Sequence, residues 1–217
     1  MNLFHDLLLQ TDFTLEFSKF LLKSNALRFG AFTLASGKQS PYYIDLRMLP
    51  SFPKLFHLST YAMKEVVEKE IGSNFDTVAS IPTSGLIFGS ALAYEMAKPF
   101  VYVRRESKGY GMIKLLEGHL PSGSRVVIVD DVATTGMSIY RAIEAIQANG
   151  GIVEDVLVLV NRQEGAEEQL KKMHVKMTAV TTVRAIVTTL YNAGLIDDNT
   201  LESVMKQMIS RGDYENE

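Results

Sequence analysis

Cysteine is absent from the 217 residues of the chain. Disulfide bonds, thiolate nucleophiles and cysteine-based zinc sites are therefore excluded, and the absence fits a reducing compartment. The four histidines (His5, His57, His119 and His174) lack metal-ligand spacing, so we interpret them as structural or surface residues.

Long hydrophobic runs are missing as well. No uninterrupted apolar stretch approaches the ~18 residues of a membrane span. The apolar start of the chain carries Asp6 and Asp12 and has no basic segment, which predicts an amphipathic helix over about residues 3–22 and not a secretory signal. The formal net charge of −3 disfavours bulk nucleic-acid binding, which needs a concentrated basic surface. We expect a cytoplasmic protein that binds neither membranes nor nucleic acid.

Internal repeats, low-complexity tracts and flexible linkers are also lacking, and the length suits one domain. Short apolar runs alternate with helical patterns through the middle of the chain. This alternation predicts an α/β fold with a mostly parallel central sheet flanked by helices. Ligands of such sheets bind at the carboxyl ends of the strands. The apolar runs are residues 77–81, 100–103, 125–129, 152–160 and 175–183.

The most informative segment is residues 126–138, which read VVIVDDVATTGMS. Four β-branched residues predict a buried strand, two acids follow it, and small hydroxylic residues lead into a predicted helix over 137–149. Unpaired N–H groups at a helix start bind anions, and Gly136 lets the backbone approach a ligand closely. The segment predicts a phosphate site whose hydroxyl donors are Thr134, Thr135 and Ser138.

This segment resembles the signature of the type I phosphoribosyltransferases, which bind phosphoribosyl pyrophosphate. Neither a GxxxxGK[ST] loop nor a GxGxxG motif is present, as expected if the phosphate belongs to a ribose. The resemblance implies the type I phosphoribosyltransferase fold, with an N-terminal helix and small hood subdomain over about 1–50, an α/β core over about 51–195, and a C-terminal helix and tail over about 196–217. The implied contacts to the substrate come from Asp130, Asp131, Val132, Ala133, Thr134, Thr135, Gly136, Met137 and Ser138.

Further segments between about residues 27 and 164 are similar to orotate phosphoribosyltransferases. Residues 29–47, FGAFTLASGKQSPYYIDLR, match their hood over the base. Residues 161–164, NRQE, match a motif whose arginine contacts orotate. The residues that the resemblance implies at the orotate site are Tyr43, Ile44, Thr134 and Arg162.

Residues 104–111, RRESKGYG, match the lid of the same enzymes. Such a lid brings cations to the pyrophosphate as negative charge develops on it. In the family this loop often reaches into the site of a partner subunit, so the resemblance implies a homodimer. The implied lid contacts are Arg104, Arg105, Lys108 and Tyr110, and we expect Lys108 to have the largest kinetic effect.

Five positions depart from the common bacterial pattern. Ala35 stands where many members have lysine, and Thr83 and Ser84 stand where they have Tyr-Lys. Arg105 replaces a lysine and Tyr110 replaces a histidine. We expect the backbone amides near Thr83 and Ser84 to contact pyrophosphate, with Lys38 as a candidate compensating cation.

The implied enzyme joins orotate to phosphoribosyl pyrophosphate, giving orotidine 5′-phosphate and pyrophosphate in pyrimidine (UMP) biosynthesis. Mg²⁺ is the implied cofactor, bound through substrate and water, with Asp130 or Asp131 as candidate protein contacts. The implied catalytic residues are Arg104, Lys108, Asp130 and Asp131.

Three alternatives stay open: a transferase for another base, a phosphoribosyl-pyrophosphate-binding regulator, and a sugar-phosphate scaffold without metal-dependent chemistry. The hood and the NRQE motif disfavour the first. The acidic charge and the cationic lid disfavour the second, and metal-dependent turnover would exclude the third.

Overall fold

A computed structural model of the chain describes residues 13–33, 37, 39–104 and 115–212. The helices are α1 (Phe13–Lys23), α2 (Pro53–Val66), α3 (Ser84–Glu95), α4 (Met137–Ala148), α5 (Ala166–Lys171), α6 (Val183–Asn192) and α7 (Asp198–Gly212). The strands are β1 (Leu27–Thr33), β2 (Gln39–Ile44), β3 (Thr77–Ser80), β4 (Phe100–Val103), β5 (Leu116–Glu117), β6 (Arg125–Ala133), β7 (Ile152–Asn161) and β8 (Lys176–Thr182). A short 3-10 turn spans Leu49–Ser51, and a π-helical turn, Val67–Ile71, follows α2.

These elements form two compact units. One unit comprises Met1–Ser59 and Thr181–Glu217, and the other comprises Thr60–Val180. The first unit contains the antiparallel hairpin β1–β2, together with α1, α6 and α7. The C-terminal helix α7 therefore groups with the N-terminal hairpin, an association that sequence order does not reveal.

The central sheet has the strand order β5-β4-β3-β6-β7-β8 in the described part of the chain. The pairs β3–β4, β3–β6 and β6–β7 are parallel, whereas the short strand β5 is antiparallel to β4. The predicted α/β architecture with a mostly parallel sheet is confirmed. Each apolar run expected as a strand contains one.

Burial explains why the apolar runs become strands. Val126, Val127, Ile128 and Val129 of β6 are each at most 2% exposed, because β6 lies between β3 and β7 and helices cover the sheet. Burying such side chains contributes about 1.5–3 kcal/mol each. Helix α4 adds a buried isoleucine stripe to the same core, comprising Ile139, Ile143 and Ile146.

The strand order determines where the chemistry lies. Since β3, β6 and β7 are adjacent and parallel, the segments that follow their carboxyl ends meet at one edge of the sheet. These segments are 81–85, 134–138 and 162–165. Within the described ranges, no helix is both long and apolar enough to cross a bilayer.

Candidate active site

The loop between β6 and α4 forms a cradle for an anion. Gly136 has φ +77° at the N-cap of α4, and a Cβ added there would lie 3.2 Å from the Cα of Ala166. Only glycine combines that backbone conformation with that approach. The first hydrogen bond of the helix runs from Tyr140 N–H to the Gly136 carbonyl, which leaves the preceding N–H groups without intrahelical acceptors.

The predicted hydroxyl donors lie on this loop. Thr135 and Ser138 are exposed and Thr134 is half-buried. A cavity of about 80 Å³ is lined by Asp130 and residues 132–139. The cavity, the hydroxyls and the unpaired helix N–H groups together match the requirements of a phosphate monoester.

The two acids at the end of β6 have different environments. Asp131 is only 8% exposed, whereas Asp130 is half-buried. The Asp131 N–H donates to Asp130 Oδ1 at 2.9 Å. Burial raises the pKa of the Asp131 carboxyl, and hydrogen bonds with the Asp130 side chain and the Ser84 hydroxyl oppose that rise. The pair therefore presents one accessible carboxylate backed by a desolvated one.

Ser84 contributes more than its backbone amide. Its hydroxyl donates to Asp131, so the segment after β3 is connected to the acid pair at the end of β6. Thr83, by contrast, is exposed at the N-cap of α3. The sequence predicts backbone contacts to pyrophosphate for both residues, but no sequence pattern predicts the hydrogen bond from Ser84 to Asp131.

Helix α3 approaches the acid pair closely because of Gly85. A Cβ at this position would lie 2.4 Å from Asp130 Oδ1 and 3.3 Å from the Val129 carbonyl oxygen. One turn later, a Cβ at Gly89 would lie 1.7 Å from Ser80 Oγ. The two glycines therefore allow α3 to pack directly on the ends of β3 and β6, and Gly85 leaves space for the Asp130 carboxylate.

Arg162 lies beside the phosphate loop. Its backbone N–H donates to the Ala133 carbonyl at 3.0 Å. Its guanidinium is nearly buried and contacts Glu164 Oε1 through Nε and Nη2, both at 2.9 Å. Glu164 thus fixes the orientation of the arginine and compensates its charge. The sequence motif alone does not predict this pairing.

The two ends of the predicted lid are tied together. Arg104 N–H donates to the Leu115 carbonyl at 2.8 Å, and Arg104 Nη1 lies 3.3 Å from Glu117 Oε1. Arg104 therefore sits at the base of the segment with a partly compensated charge. The other predicted lid residues, Arg105, Lys108 and Tyr110, lie outside the described residues, as does Lys38 of the hairpin.

The hairpin places its two predicted base-pocket residues on opposite faces. Ile44 is 8% exposed and faces the interior of its unit, whereas Tyr43 is half-buried on the open face. Strand alternation requires this separation. The side chain of Tyr43 is therefore the more accessible of the two, and that of Ile44 is enclosed in the interior of its unit.

A larger cavity, of about 590 Å³, lies between the hairpin and α7. Its described lining includes Gln39, Ser40, Asn199 and Gln207, and none of the described lining residues is titratable. The Ser40 hydroxyl is 3.2 Å from Gln207 Oε1. The acid pair and the phosphate loop, not this cavity, carry groups suited to chemistry.

No group of three or more His, Asp or Glu side chains in the described ranges could hold a metal ion. The Asp130–Asp131 pair offers at most a partial ligand set. Mg²⁺ commonly binds through one or two carboxylates together with substrate phosphates and water. The acid pair fits an ion that arrives with a phosphorylated substrate.

Comparison with known proteins agrees with this geometry. The family model described as "Phosphoribosyl transferase domain" matches residues 49–191, which include the acid pair, the phosphate loop and Arg162. The chain belongs to the phosphoribosyltransferase family. The resemblance drawn from residues 126–138 is therefore confirmed, and the six-stranded sheet is the sheet of a type I phosphoribosyltransferase domain.

The relatives of this chain within the family include orotate phosphoribosyltransferases. An orotate phosphoribosyltransferase of Cenarchaeum symbiosum is 44% identical over 87% of this chain and 94% of that protein. The crystal structure of the Aeropyrum pernix orotate phosphoribosyltransferase superposes with a TM-score of 0.73 at 39% identity, covering 83% of this chain and 99% of that one. The UMP synthase structure from Leishmania donovani gives a TM-score of 0.81 at 34% identity, covering 91% of this chain and 42% of that chain. The resemblance to orotate phosphoribosyltransferases is confirmed.

Gly85→Ala tests whether the space beside Asp130 matters. Alanine favours helix more than glycine, but its methyl group meets Asp130, so thermal unfolding is measured beside the kinetics and a lower rate counts only where the variant remains folded. The added methyl group must displace the Asp130 carboxylate, and a displacement of about 1 Å can cost up to ~10²-fold in rate. We expect kcat/KM to fall roughly tenfold or more, measured by steady-state kinetics. Ser90→Ala, on an exposed position of the same helix, is the control, and full activity of Gly85→Ala would contradict the assignment.

Asp131→Asn tests the cost of the buried carboxyl. Because the folded-state pKa of Asp131 is raised, the wild type loses stability as pH rises from about 3.8 through that pKa. The Tm advantage of the variant should therefore be absent below this window, grow across it and then level off, while turnover is lost. Thermal unfolding of both proteins from pH 3.5 to 8 without Mg²⁺ measures this difference in Tm.

Asp197→Asn is a control for which the opposite pH dependence is expected. Hydrogen bonding to Thr200 lowers the pKa of Asp197, so this variant should lose stability relative to the wild type as pH rises. An Asp131→Asn variant that is less stable than the wild type at pH 7 would overturn the account.

Proposed function

We propose that this chain transfers the 5-phosphoribosyl group from phosphoribosyl pyrophosphate to orotate, giving orotidine 5′-phosphate and pyrophosphate in pyrimidine biosynthesis. The observation that carries the proposal is the meeting of an acid pair, a phosphate cradle and an oriented arginine at one sheet edge. The orotate phosphoribosyltransferases among its relatives support the choice of base.

The phosphate loop binds the 5′-phosphate of the ribose. Thr134, Thr135 and Ser138 donate hydroxyl hydrogen bonds, and the unpaired N–H groups at the start of α4 add backbone donors. Gly136 keeps the backbone close enough for both. Anchoring this remote group fixes the position of C1, where the bond to pyrophosphate breaks.

The acid pair binds the ribose. Asp130 is accessible and accepts from the ribose hydroxyls or from Mg²⁺-bound water, while Asp131 behind it is held by Ser84. When bound, Mg²⁺ neutralises charge on the pyrophosphate. The negative field of the two carboxylates also stabilises the positive charge that develops on the sugar ring.

Arg162 binds orotate. Its fork of N–H groups suits the carboxylate or carbonyl edge of the base, and Glu164 holds it in one orientation before substrate arrives. Thr134 and the ring of Tyr43 complete the base contacts. A deprotonated ring nitrogen of orotate then attacks C1, so no enzyme nucleophile is needed.

Arg104, Arg105, Lys108 and Tyr110 bind the departing pyrophosphate, with backbone amides near Thr83 and Ser84. Charge on the leaving group grows in the transition state, so these cations act mainly on kcat. We also propose a cytoplasmic homodimer in which each lid closes over the partner's site. The absence of cysteine supports the compartment.

Orotate consumption tests the function directly. The protein is incubated with phosphoribosyl pyrophosphate, Mg²⁺ and orotate, and the ultraviolet band of orotate is followed. We expect loss of the band with stoichiometric pyrophosphate release, and no release with adenine, guanine or uracil. Turnover of another base, or substrate binding without turnover, would contradict the proposal.

Mixing two inactive variants tests the shared lid. Lys108→Ala should lower kcat by ~10²–10³, as loss of one charge-stabilising donor does. Unfolding and refolding it with Asp131→Asn gives a mixture in which about half of the dimers are hybrids, each with one intact site. Recovery of about a quarter of wild-type activity is expected, measured by the orotate assay. Each variant refolded alone is the control, and no recovery in the mixture would show that the lid acts within its own subunit.

A further inference from the structure

The open face of the hairpin carries a stacked cation. Arg28 on β1 and Tyr43 on β2 are direct cross-strand partners, so their side chains share one face. The Arg28 guanidinium carbon lies 5.0 Å from the ring centroid of Tyr43 and 5.5 Å from that of Phe32. The two rings are themselves 5.8 Å apart. Arg28 is thus held over a small aromatic surface.

The charge of Arg28 is poorly compensated. Among the described residues, its guanidinium forms no hydrogen bond or ion pair. The carboxylate of Asp45 is hydrogen-bonded to the Arg47 guanidinium, which is the main cause of the lowered pKa of Asp45. Arg28 adds a weaker Coulombic contribution to that lowering. With its carbon 5.0 Å from the Tyr43 ring centroid, the guanidinium is attracted to the ring face, an interaction that leaves its N–H groups available for hydrogen bonds.

Arg162 differs from Arg28 because its charge is paired with a carboxylate. The Arg162 guanidinium is compensated by Glu164 at 2.9 Å, so it brings direction to a ligand but little net charge. Orotate differs from uracil by a carboxylate, and recognition of that group favours a cation that no protein carboxylate already neutralises. Among the described residues around Tyr43, Arg28 comes closest to this condition, because its interaction with Asp45 is Coulombic and involves no hydrogen bond or ion pair.

We propose that Arg28 is a specificity-determining residue that binds the carboxylate of orotate, positioned by stacking on Tyr43 and Phe32. This inference rests on the proposed function, and in particular on Tyr43 contacting the base. The rings keep the guanidinium beside Tyr43, so a base that contacts Tyr43 lies within reach of its N–H groups. Arg28 thereby separates orotate from bases that lack the carboxylate.

Arg28→Gln and Arg28→Lys test the inference by steady-state kinetics with each substrate varied in turn. Loss of a charge-assisted hydrogen bond should raise the KM for orotate about tenfold to a hundredfold in Arg28→Gln. The KM for phosphoribosyl pyrophosphate should stay within about twofold, since the inference assigns Arg28 to the base and not to that substrate. Arg28→Lys keeps the charge and should recover part of the loss. Arg184→Gln, an exposed arginine in the same unit, is the matched control.

The outcomes separate this inference from the function on which it rests. A wild type that does not consume orotate overturns both. An active wild type with an unchanged orotate KM in Arg28→Gln overturns the role of Arg28 alone, as does an equal rise in both KM values with a lower Tm. An orotate-specific defect in Lys38→Gln but not in Arg28→Gln would assign the carboxylate to Lys38 instead.

Discussion

The structure depends on a carboxyl group buried at the end of the central strand. Asp131 ends the buried part of β6 and is 8% exposed, so its desolvation opposes folding. The Ser84 hydroxyl and the neighbouring Asp130 side chain offset part of that cost. To supply the hydroxyl, helix α3 must begin against the acid pair, and Gly85 and Gly89 make this approach sterically possible. The packing of α3 and the environment of the acid pair therefore depend on each other.

This constraint also explains why three separate segments form one site. Because β3, β6 and β7 are parallel neighbours, the start of α3, the phosphate loop and Arg162 converge without any long connection. Each segment is attached by a short polar contact: Ser84 to Asp131, and Arg162 N–H to Ala133. The groups are held before substrate binds, so a displacement reaction that needs no protein nucleophile can proceed mainly through positioning and charge.

The sequence predicts the parts of this arrangement that are local. The run from Val126 to Ser138 contains its strand, acids, loop and helix start in one stretch, so its pattern predicts both structure and role. The apolar alternation likewise predicts the parallel sheet. The contacts that orient the site join residues far apart in the chain. No periodicity pairs Ser84 with Asp131 or places Gly85 against Asp130, because those contacts arise only when β3 and β6 align. The grouping of α7 with the hairpin is non-local in the same way.

The pairing of arginines with carboxylates bears on how an acidic protein can bind anionic substrates. Arg104 is paired with Glu117 and Arg162 with Glu164, so two of the proposed substrate-binding cations already have carboxylate partners. A paired arginine is oriented and its burial is less costly, but a ligand anion must share it with the partner. Strong attraction must then come from helix N–H groups, from Mg²⁺ and from cations without such partners. Arg28, which lies over Tyr43 and Phe32 and forms no hydrogen bond or ion pair within the described ranges, is a cation of the last kind. A net charge of −3 is compatible with this chemistry because orientation and attraction are assigned to different groups.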